Sequence, residues 1–536
     1  MWQNNRRDES WSALSRPFDL IVIGGGITGA GIFREASRAG LRTLLVEAGD
    51  FASGTSSRSA KMVHGGMRYL ANLDITLTLE SVRERERLLK QGKGLVTPLG
   101  FLFTDYLGDW PPGWILAPGL AIYDLLAGKW AHAHFTRSET QHRHPELATD
   151  RLNGGYHYFD AQADDARLVL RVLQEGQREG CLALNYARVE TLLTDQAGQV
   201  RGVAICDQDP SGHGRTAEIQ AAVVINATGC WADDLRIKLG APPRLRRLRG
   251  SHLLFSPGRL PLSEAVSFTN PSDHRYLYAM PWEGAVLFGT TDIDHRPPPG
   301  VLDTDPAMSP AELDYLLEAA RHIFPSLALS EADVLSTFSG VRSVVDTGNP
   351  NPSKESRDFV LWNEHGLLTV AGGKLTTFRL MAHKALRAVR RRLPSHPAFS
   401  EEMTVFDNGT REEDLPAGLA PDARFRMLGR YGRLARQVFN GAAGPDLATI
   451  GATPNRWVEL RWSAQHEAVL HLDDLLLRRQ RVGLLLPHGG LGQIGAIRAI
   501  AQPGLGWDDK RWEREVEAYR RLIVASYSVP GRDDHE

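Results

Sequence analysis

Phe18-Asp19-Leu20-Ile21-Val22-Ile23-Gly24-Gly25-Gly26-Ile27-Thr28-Gly29-Ala30-Gly31 is the stretch that decides the fold. A short apolar run passes into a glycine-rich turn and then a helical pattern to about Gly40. A second run of leucine and β-branched residues, Leu41 to Val46, ends in Glu47. Strand, G-x-G-x-x-G, helix, strand and an acid about 20 positions on make the βαβ fingerprint of dinucleotide binding. Gly24 allows the tight turn, Gly26 lets the backbone approach a pyrophosphate, and Gly29 lets helix and strand pack closely. The helix N-terminus offers N–H groups and partial positive charge to the phosphates. Glu47 can accept hydrogen bonds from the adenosine ribose hydroxyls, and its charge disfavours a 2'-phosphate. Phe33 stands where such helices usually carry a small residue, which predicts local repacking against the sheet.

Outward from this unit, 536 residues with 42% apolar content exceed what one hydrophobic core supports, so two or three domains are expected. Lysine and arginine number 62 against 64 acids, and a net charge of -2 gives no support for a nucleic-acid protein defined by bulk charge. Anion recognition must therefore be local. Cys181, Cys206 and Cys230 are widely spaced with no C-x-x-C pair, which predicts neither a disulfide framework nor a metal cluster and fits a reducing cytoplasmic setting. Met1 to Arg16 is polar and lacks the apolar core of a secretory signal. The longest charge-free apolar stretch, Trp110 to Tyr123, has 14 residues and three prolines. That is short of the roughly 20 needed to span a bilayer.

Ser53 to Tyr69 is rich in glycine, serine and small residues, as suits a loop wrapped on a ligand. Leu73 to Leu89 reads as an exposed helix whose charges solvate one face. A helix over Ala166–Glu179 precedes alternating segments. The buried strand Ile219–Ile225 then runs into Asn226-Ala227-Thr228-Gly229, a second turn of small residues. Leu248 to Ile293 alternates apolar and polar residues as an antiparallel sheet does. Ala371-Gly372-Gly373-Lys374-Leu375-Thr376-Thr377 opens another helix. After a linker near residues 395–410 the pattern is mostly helical, with strong amphipathic character over Val458–Val482 and Trp512–Val524.

The stretches GGGITGAG, SGTSSRSAKMVHGGMRYL, DDARLVL, NATGCWADDL, RGSHLLF, GTTD, SGVRS, AGGKLTTFR and LDDLLLRRQRVGLLLP stand in the order seen in FAD-dependent glycerol-3-phosphate dehydrogenases of the aerobic type. The resemblance covers nearly the whole chain. It implies an α/β fold: a Rossmann-like FAD-binding domain from residues 1–80, 155–247 and 334–395, a cap and antiparallel substrate sheet from 81–154 and 248–333, and a C-terminal helical domain over 400–536. It implies that Gly24, Gly26, Gly29 and Glu47 hold the ADP half of FAD, that Ser56, Ser57 and Lys61 line its path, and that Val189 lies beside the adenine. Thr228 with Gly229 then form the second cofactor turn, and Gly373, Lys374, Leu375 and Thr376 the third.

The implied substrate, sn-glycerol 3-phosphate, needs fixed cations in a place of low dielectric, and guanidinium binds phosphate bidentately. Arg68, Arg342 and Lys374 are the candidates, each set among small residues, with Tyr69 beside Arg68. The denser cluster Arg244, Arg246, Arg247 and Arg249 reads as a solvated face. Oxidising the C2 alcohol requires hydride loss to flavin and removal of the hydroxyl proton, for which a histidine is the natural base. His64 in VHGG is preferred as base; His252 in RGSH and Thr291 are assigned to substrate contact. His132, His134, His142 and His144 lack a ligand framework, so no metal is expected. Ser343 and Phe378 depart from the family's usual proline and tyrosine, which bears on the pocket.

The expected activity is production of dihydroxyacetone phosphate with electrons passed to a membrane quinone. An oxygen-using glycerol-3-phosphate oxidase and a non-catalytic flavin-binding protein are the alternatives. The family further implies peripheral attachment to the inner face of the cell membrane, and a homodimer is entertained. Trp110, Trp114, Ile115 and Leu116 are expected to dip into the interface, with Arg478 and Arg479 meeting anionic headgroups.

Overall fold

Phe18–Ile23 is buried on both faces, as a run of apolar residues at the centre of a parallel sheet must be. It pairs in parallel with Thr43–Val46 on one side and with the second half of Thr216–Asn226 on the other. The sheet continues to Leu182–Leu184 beyond the first and to Leu367–Gly372 beyond the second, with Phe359–Glu364 antiparallel at its edge. Three glycine-bearing turns thus leave the carboxyl ends of adjacent strands drawn from distant parts of the chain. The structure is a computed structural model that describes residues 2, 7–66, 74–109, 113–128, 130–209, 214–297, 304–349, 355, 358–394, 397, 399–400, 403–407 and 409–531.

One face of this sheet carries the helices Ile27–Arg38, Asp165–Arg178 and Phe378–Val389 around a shared core that includes Ile32, Phe33, Leu168, Val172 and Leu386. The repacking expected at Phe33 takes a definite form. Its fully buried ring fills the space left by Gly176 on the neighbouring helix, where a Cβ would come within 2.6 Å of the ring. Ala187–Thr194, Val200–Asp207 and the start of Thr216–Asn226 form an antiparallel layer on the other face.

The second sheet runs in the order Ile293–Asp294, Leu245–Phe255, Ala285–Gly289, Tyr276–Trp282, Ala265–Thr269, Val96–Tyr106, Leu152–Ala163, Met62–Val63. It is antiparallel apart from one junction: Ala265–Thr269 meets Val96–Tyr106 in parallel. Val334–Val345, expected with the FAD-binding segments, instead pairs along its length with Leu245–Phe255 in this sheet. The sheet order keeps it there, because Arg342 and Gly340 sit directly opposite Leu248 and Gly250.

The last part of the chain is helical, including Pro421–Tyr431, Trp457–His466, Ile494–Leu505 and Asp509–Ser526. The amphipathic run over 458–482 is divided between Trp457–His466 and Asp474–Arg479. It breaks after His466, where Ala468 adopts a left-handed φ of 52° and the buried Glu467 turns to grip Arg167 at 2.5 Å. Arg478 and Arg479, expected to face lipid headgroups, are buried: both guanidiniums close on the buried carboxylate of Asp50. Asp164 similarly meets Arg430 and Arg481 at 2.9 Å each, and Arg481 also pairs with Asp165. The helical region is therefore joined to the nucleotide-binding layer by internal charge pairs.

Two more surface readings are corrected by burial. Helix Ile75–Gln91 hides Glu84 and Arg85, and Glu84 binds Arg379 at 2.9 Å. Arg246, Arg247 and Arg249 are partly buried and pair with Asp294, Asp234 and Glu312, so this cluster ties strands and helices together.

Candidate active site

Between the three turns and the second sheet lies a cleft of about 740 Å³, within the roughly 300–1,000 Å³ of ligand sites. Gly24, at φ 111°, could not be replaced without a Cβ 2.5 Å from the Ala227 carbonyl oxygen. A Cβ on Gly26 would meet only Ser56 and would otherwise project into the cleft that both residues line. These close backbone approaches fit a dinucleotide's pyrophosphate. Gly29 stands behind the turn, where a Cβ would lie 1.9 Å from the Gly24 carbonyl oxygen. Glu47 lines the cleft and accepts from the N–H groups of Gly25 at 2.6 Å and Gly49 at 2.9 Å. Burial pushes its pKa upward against those hydrogen bonds. Val189, Thr228, Gly229, Gly373 and Leu375 line the same cleft.

The second sheet and the links from its strands supply the facing wall: His64, Gly250, His252, Thr290, Arg342 and Ser343, met by Lys374 from the third turn. Arg342 approaches Asp292 at 3.1 Å and donates to the Thr291 carbonyl at 3.2 Å. Lys374 donates to the Ser81 hydroxyl, and burial lowers its pKa to about 8. His252 is buried, stacked on Phe338 at 4.7 Å, with Nε2 3.3 Å from the Tyr278 hydroxyl. Its Nδ1 has no hydrogen-bond partner among the described residues. Burial, reinforced by the charges of Lys61 and Arg342, drives its pKa well below the ordinary imidazole value, so this ring is neutral.

The His64 segment is anchored from behind. Thr376 donates to the His64 carbonyl at 3.2 Å, and the Gly65 N–H donates to Asp160 at 2.9 Å. The same Asp160 oxygen accepts from Arg85 at 2.7 Å and from the hydroxyl of Tyr123, on helix Gly113–Ala127, at 2.8 Å.

Four expected contacts stand behind the wall. Ser57 turns its hydroxyl to the Gly54 carbonyl. Lys61, fully buried, donates to Asp165 at 2.9 Å and lies over the faces of Trp282 and Phe338. Thr376 is occupied by His64. Thr291 donates to Glu312 at 2.7 Å while accepting from Ser251 N–H at 2.8 Å, and it is the neighbouring Thr290 that lines the cleft. Arg68 and Tyr69 lie outside the described residues. Ser343 is in the lining, whereas Phe378 is buried between helices, its ring filling the space beside Gly31. Tyr186 and His471 also line the cleft, and sequence reasoning singled out neither. No group of residues suited to a metal ion occurs among the described residues.

A dinucleotide cradle that faces histidines and cations across one cleft is the site of a dinucleotide-dependent oxidoreductase. Comparison with known proteins agrees. The family model described as FAD dependent oxidoreductase matches residues 19–379, and that for the C-terminal domain of alpha-glycerophosphate oxidase matches residues 372–512. Aerobic glycerol-3-phosphate dehydrogenase of Staphylococcus epidermidis is 34% identical over 487 residues, covering 86% of each chain. The Staphylococcus aureus enzyme of that name is 33% identical over 502 residues, covering 89% of this chain and 87% of its own. The structure of glycerol-3-phosphate dehydrogenase from Bacillus halodurans complexed with FAD is 28% identical with a TM-score of 0.77, covering 97% of this chain and 98% of that one. The chain belongs to the FAD-dependent glycerol-3-phosphate dehydrogenase family.

Proposed function

We propose that this protein oxidises sn-glycerol 3-phosphate to dihydroxyacetone phosphate and passes the electrons to a membrane quinone. The observation that carries the reading is the convergence of Arg342, Lys374, His64 and His252 on the cleft that the three glycine turns also line. Bound FAD supplies the hydride acceptor. Gly24, Gly26, Glu47, Ser56, Val189, Thr228, Gly229, Gly373 and Leu375 would hold it, with Lys374 at the helix entry of the third turn.

Arg342 and Lys374 provide the positive charge that a phosphate dianion requires in a partly dehydrated site. Between the two histidines, His252 is the poorer base: an imidazolium there would be buried and would face Arg342 and Lys61. Its neutral ring is suited to hydrogen-bond the substrate. His64, which directly follows Met62–Val63 and lines the same cleft, is assigned to remove the C2 hydroxyl proton. Its carbonyl and the next N–H are tied to Thr376 and Asp160, so its backbone is fixed before substrate arrives.

A lipid-soluble acceptor needs a route from the bilayer. No described helix is long and apolar enough to cross a membrane. Helix Gly113–Ala127 instead buries Leu120 and Tyr123 and exposes Ile115, Ile122 and Leu125 on its other side, with Trp130 and Leu107 exposed nearby. An apolar helix face open to water fits docking into one leaflet. Leu116 is half-buried against the core, and Trp110 and the Trp114 side chain lie outside the described residues.

Anaerobic addition of glycerol 3-phosphate to the purified yellow protein tests the chemistry; bleaching of the flavin band is expected, and a band that stays unchanged rejects this substrate. Flotation with liposomes tests the docking. Wild type should float and Leu125→Asp with Ile122→Asp should not; recovery of both in the soluble fraction would reject this surface.

A further inference from the structure

Among the described residues, the helical region at the end of the chain reaches the cleft through His471. His471 lines it beside Tyr186, Val189 and Gln208, at the end that Glu47 also borders. Its placement is fixed from several sides. The backbone N–H donates to Asp474 at 2.9 Å, and Asp474 accepts the Tyr186 hydroxyl at 2.7 Å. The imidazole meets the Tyr186 ring edge-on, with centroids 5.0 Å apart. Nδ1 lies 3.1 and 3.2 Å from the two carboxylate oxygens of Glu515, on helix Asp509–Ser526. Tyr186 in turn sits at a left-handed φ of 51°, with its N–H on the Gly49 carbonyl, while the next N–H, of Ala187, binds the Glu47 carbonyl. The loop that carries the fingerprint acid and the segment that carries His471 are thus packed through Tyr186.

Burial lowers the His471 pKa, but Glu515 and Asp474 outweigh it and raise it to about 9, so at neutral pH both ring nitrogens carry protons, and Nε2–H has no hydrogen-bond partner among the described residues. Its side chain is 27% exposed, and it lines the cleft. An N–H donor carrying positive charge, in a cleft that Glu47 and Val189 also line, complements the electron-rich edge of an adenine or the oxygens of its ribose.

We infer that His471 is a cofactor-binding residue that contacts the adenosine end of FAD, so the dinucleotide site is completed by the C-terminal helical region and not by the Rossmann-like layer alone. Tyr186 and Glu515 act through it as positioning residues.

Flavin binding tests this apart from turnover. Holoenzyme and the variants His471→Ala, His471→Gln and Glu515→Gln would be diluted, and FAD release followed by the recovery of flavin fluorescence. Protein stripped of flavin would then be titrated with FAD and with FMN, which lacks the adenosine. Release of FAD should quicken about tenfold in His471→Ala and less in His471→Gln, which keeps a donor. The dissociation constant for FAD should rise by a similar factor, with that for FMN unchanged. An unchanged FAD constant in His471→Ala, or equal weakening of FAD and FMN, would overturn the assignment. Should His471→Ala not fold, the same comparison is made with His471→Gln, where an unchanged ratio of FAD to FMN affinity overturns it. Wild type that fails to bind FAD at all would instead remove the flavoprotein reading on which this inference rests.

Discussion

Replacing Arg479 by methionine removes a buried charge of similar volume and exposes what joins the two halves of the molecule. Its side chain donates to both oxygens of Asp50, at 2.6 and 2.7 Å, to the Glu467 carbonyl at 2.8 Å and to the Ala468 carbonyl at 3.3 Å. Asp50 would keep Arg478 and the Asn185 amide at 3.1 Å. Breaking a fully buried pair costs about 3–5 kcal/mol because one charge is left without its partner. With Arg478 still in place the loss should fall near the lower end, about 3 kcal/mol. Burial raises the Asp50 pKa, but Arg479 and Arg478 outweigh it and hold the carboxyl at about 2, below the ordinary 3.8. A depressed carboxylate contributes stability that is present above its unfolded value and fades as pH falls toward the folded one. The gap between wild type and Arg479→Met should therefore be full at pH 5 and shrink below pH 4. Urea unfolding of the FAD-saturated proteins, followed by tryptophan fluorescence, reads the loss. Asp50→Asn and the double variant complete a cycle, with an expected coupling of about 2 kcal/mol. A cost under about 1 kcal/mol, the range of exposed pairs, or an additive cycle would refute the reasoning.

Three further outcomes follow from the site and its surroundings. Arg342→Gln should raise KM for glycerol 3-phosphate about 10- to 100-fold, from the roughly 1.5–3 kcal/mol of a charge-assisted contact, while KM for glycerol changes little; steady-state kinetics with both substrates decides. Gly26→Val should give a folded, colourless protein, because its Cβ opens into the cleft, and a normal ratio of flavin to protein absorbance would contradict that. His144 lies 2.9 Å from Glu146 and 3.0 Å from Glu264, and these acids outweigh burial and raise its pKa to about 9. Its contribution is present below pH 6.5 and lost as pH rises through 9, so His144→Gln should be less stable than wild type at pH 6 and converge with it near pH 9.5 in thermal unfolding.

The nucleotide-binding unit was legible because its signals are local. Phe18 to Glu47 carries strand periodicity, turn glycines and the acid within one βαβ span, and each has one physical role. Phe33 was legible as a misfit but not its remedy, since Gly176 lies on a helix far along the chain. The arginines misled for a common reason. Composition reports that Arg478, Arg479 and Arg246 are charged, but not that Asp50 or Asp294 comes from elsewhere in the sequence to meet them. Thr291 and Thr290 are adjacent in the link between Ala285–Gly289 and Ile293–Asp294, where no strand alternation tells which one faces the cleft. His471 gave no signal, for its partners Tyr186 and Glu515 are far from it in sequence. The split of 458–482 turns on Glu467, an acid drawn inward by Arg167.

The carboxylates of Asp50, Asp164 and Asp165 set an order in time. They leave the ribosome before Arg430, Arg478, Arg479 and Arg481, Asp50 shortly after Thr43–Val46 and the other two at the start of Asp165–Arg178. An unpaired carboxylate is too costly to bury, so Asp50 and Asp164 stay hydrated until the arginines arrive, and Asp165 has Lys61 alone. Lys61 relies on Asp165, and Ser57 receives Arg481 at 3.2 Å, so the loop over the cleft waits with them. A growing chain can therefore shape its parallel sheet from residues 18–372 well before the cleft can close. Synthesis itself imposes an interval in which the nucleotide cradle exists and stands open, and the segment that carries Arg430 to Arg481 ends it.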